Sequence, residues 1–130
     1  MARVMICDDD KVLAEQLVAA LRAGRHDATT CRHTMDVLRE AADGHFDLVV
    51  FGLDMHGFGG ASAIEAIDEL APHLPVIGLH KRPSEMMRNP VHARLSAILP
   101  RPVSINTFMY AVARALEARG MRPLPSAQSF

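Results

Sequence analysis

The feature that most constrains this chain is a repeated alternation: short runs of consecutive apolar residues, each followed by a stretch with helical spacing. Residues 4–7, Val4-Met5-Ile6-Cys7, are apolar without a break. So are Leu48-Val49-Val50-Phe51, within a strand expected over 47–53. A strand with no polar side must be covered on both faces, which is the position of strands in parallel sheets layered by helices. Further strands are expected at 28–31, 76–79 and 97–99, the last stopped by Pro100 and Pro102.

The intervening segments carry helical periodicity. Leu13, Leu17 and Leu21 form an i, i+4 row after Asp10, a helix cap, and the helix ends at Gly24. Thr34 is expected to cap a second helix whose inner face carries Met35, Leu38 and Ala42. Ile64, Ile67 and Leu70 line a third. Ser104 caps the last, where Ile105, Phe108, Met109, Val112 and Leu116 fit the apolar template. Between 81 and 96, Pro83 and Pro90 forbid one regular helix, and Asn89-Pro90 reads as a new cap and first helical residue. The fourth helix should be short, displaced or broken in two.

Five strands and five helical segments in alternation predict an α/β, flavodoxin-like, doubly wound parallel sheet of order 2-1-3-4-5. One domain over 1–119 and a polar tail over 120–130 account for the chain. A net charge of -1 opposes general nucleic-acid binding. The absence of a long apolar run opposes a membrane span, and the N-terminus lacks a signal-peptide layout. Cys7 and Cys31 lack close metal spacing and read as free core thiols, which suits the cytoplasm.

Sheets of this kind place ligands beyond the carboxyl ends of their strands, where strand order reverses. Asp8 and Asp9 should there face Gly52, Leu53 and Asp54, with His80 and Arg101 completing the rim. These residues carry a resemblance. Val4 to Asp10 resembles the apolar strand and acidic pair of response-regulator receiver domains. The segment from Asp47 to Gly60 resembles their phosphoacceptor strand and turn. Pro75-Val76-Ile77-Gly78-Leu79 resembles the strand that ends in a Thr or Ser, and Leu99-Pro100-Arg101-Pro102 resembles the Lys-Pro element, whose bond is cis in that family. The likeness spans about residues 3–118.

The resemblance also locates departures. It sets Gly52 at the phosphoacceptor position, His80 at the hydroxyl position, Arg101 at the lysine position, His56 at the turn proline and Ile98 at the aromatic switch position on the fifth strand. Only Asp8 and Asp9 keep family form. Acyl-phosphate formation needs a carboxylate nucleophile, which glycine cannot supply. The resemblance therefore implies a pseudo-receiver with no catalytic residues: a stand-alone, non-enzymatic module acting by phosphorylation-independent protein contacts. Its expected partners are a histidine kinase, a phosphotransferase or a downstream regulator, and a homodimer is an allowed arrangement.

Alternatives stand beside this reading. Asp54 is either a rim carboxylate or a replacement nucleophile, displaced roughly 6.6 Å along the strand from position 52. Arg101 either points to solvent or pairs with Asp8 or Asp9, closing the pocket without metal. No cofactor is required, and Asp8 and Asp9 alone imply at most weak magnesium binding. His56 and His80, with the acidic residues, offer a transition-metal set, so a ligand- or metal-sensing module is the second reading. Met86 and Met87 form either an adaptable partner surface or one packed and one exposed side chain.

Overall fold

A computed structural model describes residues 1–55 and 60–120. Its elements are β1 (Arg3–Cys7), α1 (Lys11–Ala23), β2 (Asp27–Cys31), α2 (Thr34–Ala42), β3 (Leu48–Gly52), α3 (Gly60–Leu70), β4 (Val76–His80), α4 (Pro83–Met87), a 3-10 helix (Pro90–Arg94), β5 (Ala97–Pro100) and α5 (Ile105–Ala118). All strand pairings are parallel, in the order β2-β1-β3-β4-β5. The expected flavodoxin-like sheet is the one observed.

The two faces of the sheet have separate cores. Val4, Ile6, Val50, Ile77 and Leu79 point to one side, where Leu17 and Leu21 of α1 and Phe108 and Val112 of α5 cover them. Met5, Cys7, Val49, Phe51 and Val76 point to the other, against Val37 of α2 and Ile64 and Ile67 of α3. This is why β3 has no polar side: all five of its residues are buried.

Asp10 and Ser104 cap α1 and α5 as expected, accepting from the Leu13 and Thr107 amides. Thr34 does not act as a cap. It is the first residue of α2, and His33 takes the cap position without a side-chain bond. Met35 and Leu70, expected on inner faces, are exposed, because Val37 and Leu38 supply the buried stripe of α2 and Ala63, Ile64 and Ile67 that of α3. The fourth helix is broken in two: α4 ends at Met87, and the Asn89 side chain accepts from the Val91 amide to start the 3-10 helix. Met86 is buried and Met87 exposed, so the packed-and-exposed alternative holds. Among the described residues, no helix is long and apolar enough to cross a membrane. Beyond Gly120, the expected tail lies outside the described residues.

Candidate functional site

The carboxyl ends of β1, β3, β4 and β5 converge on one guanidinium. Arg101 follows β5, and its backbone amide donates to the His80 carbonyl at the end of β4 (3.3 Å). The Arg101–Pro102 peptide is cis, as the resemblance implied. From there the side chain runs inward across the strand ends. Nη2 donates to Asp8 Oδ2 at 2.6 Å and to Asp54 Oδ1 at 2.9 Å. Nε donates to Asp54 Oδ1 and Oδ2 at 3.1 and 3.2 Å. The arginine therefore pairs with Asp8, one of the two expected partners, and also with Asp54. Asp9 is exposed.

Each carboxylate has a second anchor. Asp8 Oδ1 accepts from the Asp10 amide (2.9 Å), which ties it to the cap of α1. Asp54 Oδ2 accepts from the Lys81 amide (2.9 Å), which joins the loop after β3 to the loop after β4. His80 uses Nδ1 to accept from the Arg82 amide at 2.8 Å, closing the turn into α4. Ile98 is partly buried on β5 against the α2–α3 core, beside Gly78 of β4.

Burial explains the ionisation of the cluster. Burial pushes the Asp8 carboxyl above its ordinary value, and the Asp10 amide and Arg101 only partly offset that cost. Burial acts the same way on Asp54. There the Arg101 bonds and the Lys81 amide outweigh it and hold the carboxyl below the usual carboxylate range. Arg101 is itself disfavoured by burial, but its bonds to Asp54 and Asp8 hold its pKa above the ordinary value.

Gly52 lies directly beneath this bridge. A Cβ at position 52 would stand 2.8 Å from Asp8 Oδ2, 2.9 Å from Arg101 Nη2 and 3.1 Å from Met55 Cγ. The guanidinium occupies the space into which a side chain from residue 52 would project.

The donor set can be tested against the magnesium ion that receivers use. A hard divalent cation needs several oxygen ligands free to face it. Here Asp8 Oδ2 and both Asp54 oxygens face a resident cation, Asp8 Oδ1 faces an amide, and residue 52 has no carboxylate. These residues do not fit the ion while Arg101 is in place. Of the expected histidine set, His80 Nδ1 accepts from a backbone amide, and His56 lies outside the described residues. Among the described residues, the side chains that converge like metal ligands are Glu40, Asp43 and His45 around the end of α2, a group that sequence reasoning did not single out.

Beside the bridge, a cleft of about 440 Å³ opens between the ends of β1 and β2, lined by Asp8, Asp9, Lys11, Cys31 and His33 among others.

Strand order 2-1-3-4-5, a buried acidic residue at the end of β1 and a basic residue before a cis proline after β5 are the receiver-like features that the sequence resemblance led one to expect. The response regulator receiver domain family matches residues 4–113, and the chain belongs to that family. A DNA-binding transcriptional regulator, NtrC of Azospirillum brasilense, is 26% identical over 119 residues. That match takes in 90% of this chain but 24% of the relative, so the chain spans about a quarter of the curated protein it resembles. Among solved structures, a response regulator receiver domain protein from Clostridium thermocellum has a TM-score of 0.82, with 18% identity and coverage of 93% of this chain and 98% of that one. A CheY-like receiver from Methanospirillum hungatei has a TM-score of 0.84, with 18% identity and coverage of 92% and 97%. At that identity the structural likeness speaks for the fold alone.

Proposed function

We propose that this domain is a pseudo-receiver: it acts in two-component signalling by binding proteins, without accepting phosphate. The observation that carries this reading is the filled space above Gly52. A receiver's acceptor chemistry needs a carboxylate there, an open approach for the phosphoryl group and a divalent ion beside it. This chain has a glycine at that place, and the Arg101 guanidinium stands 2.9 Å from where its Cβ would be. The charge that a metal ion would supply comes instead from a side chain, bonded to Asp8 and Asp54.

Such a bridge links the loops after β1, β3 and β5, so the carboxyl-terminal rim holds one arrangement. The domain then presents a constant surface, in the cytoplasm, to a histidine kinase, a phosphotransferase or a downstream regulator. Asp54 is not a free nucleophile in this reading. Its oxygens accept from Arg101 and from the Lys81 amide.

The test is intact mass after incubation with acetyl phosphate and magnesium, beside an ordinary receiver as positive control. The expected result is an unchanged mass. A stoichiometric phosphoryl adduct that Asp54→Asn abolishes would overturn the proposal and make Asp54 the acceptor.

A further inference from the structure

Cys7 and Cys31 close β1 and β2, and the strand register pairs them directly. Paired residues on neighbouring parallel strands project to the same face. Cys7 is buried in the α2–α3 core, and Cys31 packs, partly buried, against that same core. The Cys31 side chain leans towards β1: its Sγ lies 3.8 Å from Met5 Sδ, on the face of β1 that Cys7 shares. Adjacent strands lie about 4.8 Å apart. That is inside the roughly 4.4–6.8 Å between Cα atoms that a disulfide spans, and closing the bond needs the two strand ends to draw the Cβ atoms within about 4.5 Å. Both cysteines are free thiols.

They differ in access. Cys7 is fully buried, whereas Cys31 is partly exposed and lines the cleft beside Asp8 and Asp9. An oxidant from solvent meets the partly exposed Cys31 first, and Cys7 is its register partner on β1.

We propose that Cys31 and Cys7 are a redox pair, in which a peroxide oxidises Cys31 and Cys7 resolves it to a disulfide joining the ends of β2 and β1. In the first step Cys31 Sγ attacks the peroxide. The O–O bond breaks, one oxygen stays on sulfur as a sulfenic acid, and the other leaves as water with the thiol proton. In the second step Cys7 Sγ attacks Cys31 Sγ, the S–O bond breaks, and a second water leaves with the Cys7 proton. Two thiols and one hydrogen peroxide give one disulfide and two waters, so the sulfurs lose the two electrons that the peroxide gains. A thiol reductant reverses the bridge by exchange. The staple would lie one residue before Asp8 and fix the wall of the cleft. It is independent of how the Arg101 bridge is read.

The experiment treats the reduced full chain with hydrogen peroxide and reads intact mass and a non-reducing peptide map. The expected product is a monomer about 2 Da lighter, restored by a thiol reductant, with a linked peptide containing Cys7 and Cys31. In Cys7→Ser, where the resolving thiol is gone, dimedone should trap a sulfenic acid on Cys31. Methionine oxidation adds mass and maps to other peptides, so it cannot mimic the linked pair. Both thiols still alkylatable after peroxide, a Cys31–Cys31 dimer as the sole disulfide, or no dimedone adduct in Cys7→Ser would each overturn the proposal.

Discussion

Arg101 joins two carboxylates of unequal burial, and the inequality separates the effects of changing each partner. The Asp8 side chain is fully buried and that of Asp54 is 11% exposed. Removing the arginine leaves Asp8 charged and unpaired, a loss of about 3–5 kcal/mol for a buried pair broken from one side. Arg101→Ala should therefore lower the urea midpoint sharply. Asp8→Asn should cost less, because the amide is neutral and Arg101 keeps Asp54. The acid limb supplies a second check. The Asp54 carboxyl is held low, so its stabilisation is complete above its unfolded value of about 3.9 and is lost as pH falls through the lower folded value. Asp8 has the opposite sign: its raised pKa favours the fold below the unfolded value and loses that effect as pH rises through the folded one. The stability difference between wild type and Asp54→Asn should thus be largest near neutrality and shrink towards about pH 2, as followed by urea titrations at each pH. The pairing of Arg101 with Asp8 was legible in sequence, because a guanidinium at the lysine position meets the acidic pair at the strand ends. The part of Asp54 was not. A straight strand would carry residue 54 away from residue 52, but the chain turns at Leu53 and Asp54 and brings the carboxylate back over the pocket.

At the scale of elements, the broken fourth helix was readable because its causes are local: two prolines and an asparagine cap. What holds the second half in place was not readable, because it is a long-range contact. Arg94, the last residue of the 3-10 helix, donates through Nη2 to the carbonyls of Ala71 (3.1 Å) and Leu74 (2.7 Å), and through Nε to Asp68 Oδ1 (2.5 Å). Those carbonyls lie in the loop after α3, where the Ala71 carbonyl also accepts from the Leu74 amide. One side chain thus ties that loop and Asp68 of α3 to the 3-10 helix. Arg94→Ala should cost about 1.5–3 kcal/mol, the range for hydrogen bonds to a charged group. Hydrogen exchange should quicken over residues 71–76 and 90–96 more than in β1 or β3. Arg94→Lys should recover only part of the loss, because a single ammonium cannot reproduce the planar fork. The misread cap at Thr34 has a different cause. Threonine and its preceding histidine are equally placed by sequence, and the extended backbone at His33 (φ -122°, ψ 136°) settles which one lies outside the helix.

At the scale of the whole molecule, the fold was fully legible because strand burial on both faces leaves few arrangements, whereas the state of the rim was not, because it depends on which groups one side chain reaches. The molecule combines the family's sheet with a guanidinium bonded to both Asp8 and Asp54 at the strand ends. This predicts a specific response to magnesium. A ligand that binds only the folded state raises stability by RT ln(1 + [L]/Kd), about 2.7 kcal/mol at a hundredfold excess over Kd. An ordinary receiver in millimolar magnesium should show a measurable rise in Tm by thermal shift. Wild-type protein should show none, because a divalent ion would have to displace a guanidinium bonded to both Asp8 and Asp54. Arg101→Ala should behave differently: starting from a lower Tm, it should recover part of the loss on adding magnesium, since Asp8, Asp9 and Asp54 are then three carboxylates without a counter-ion. Potassium chloride at equal ionic strength separates site binding from general screening. A magnesium-dependent rise in wild type as large as in Arg101→Ala would show that the guanidinium does not exclude the ion. Magnesium rescue confined to the variant would identify Arg101 as the group that fills the metal's place.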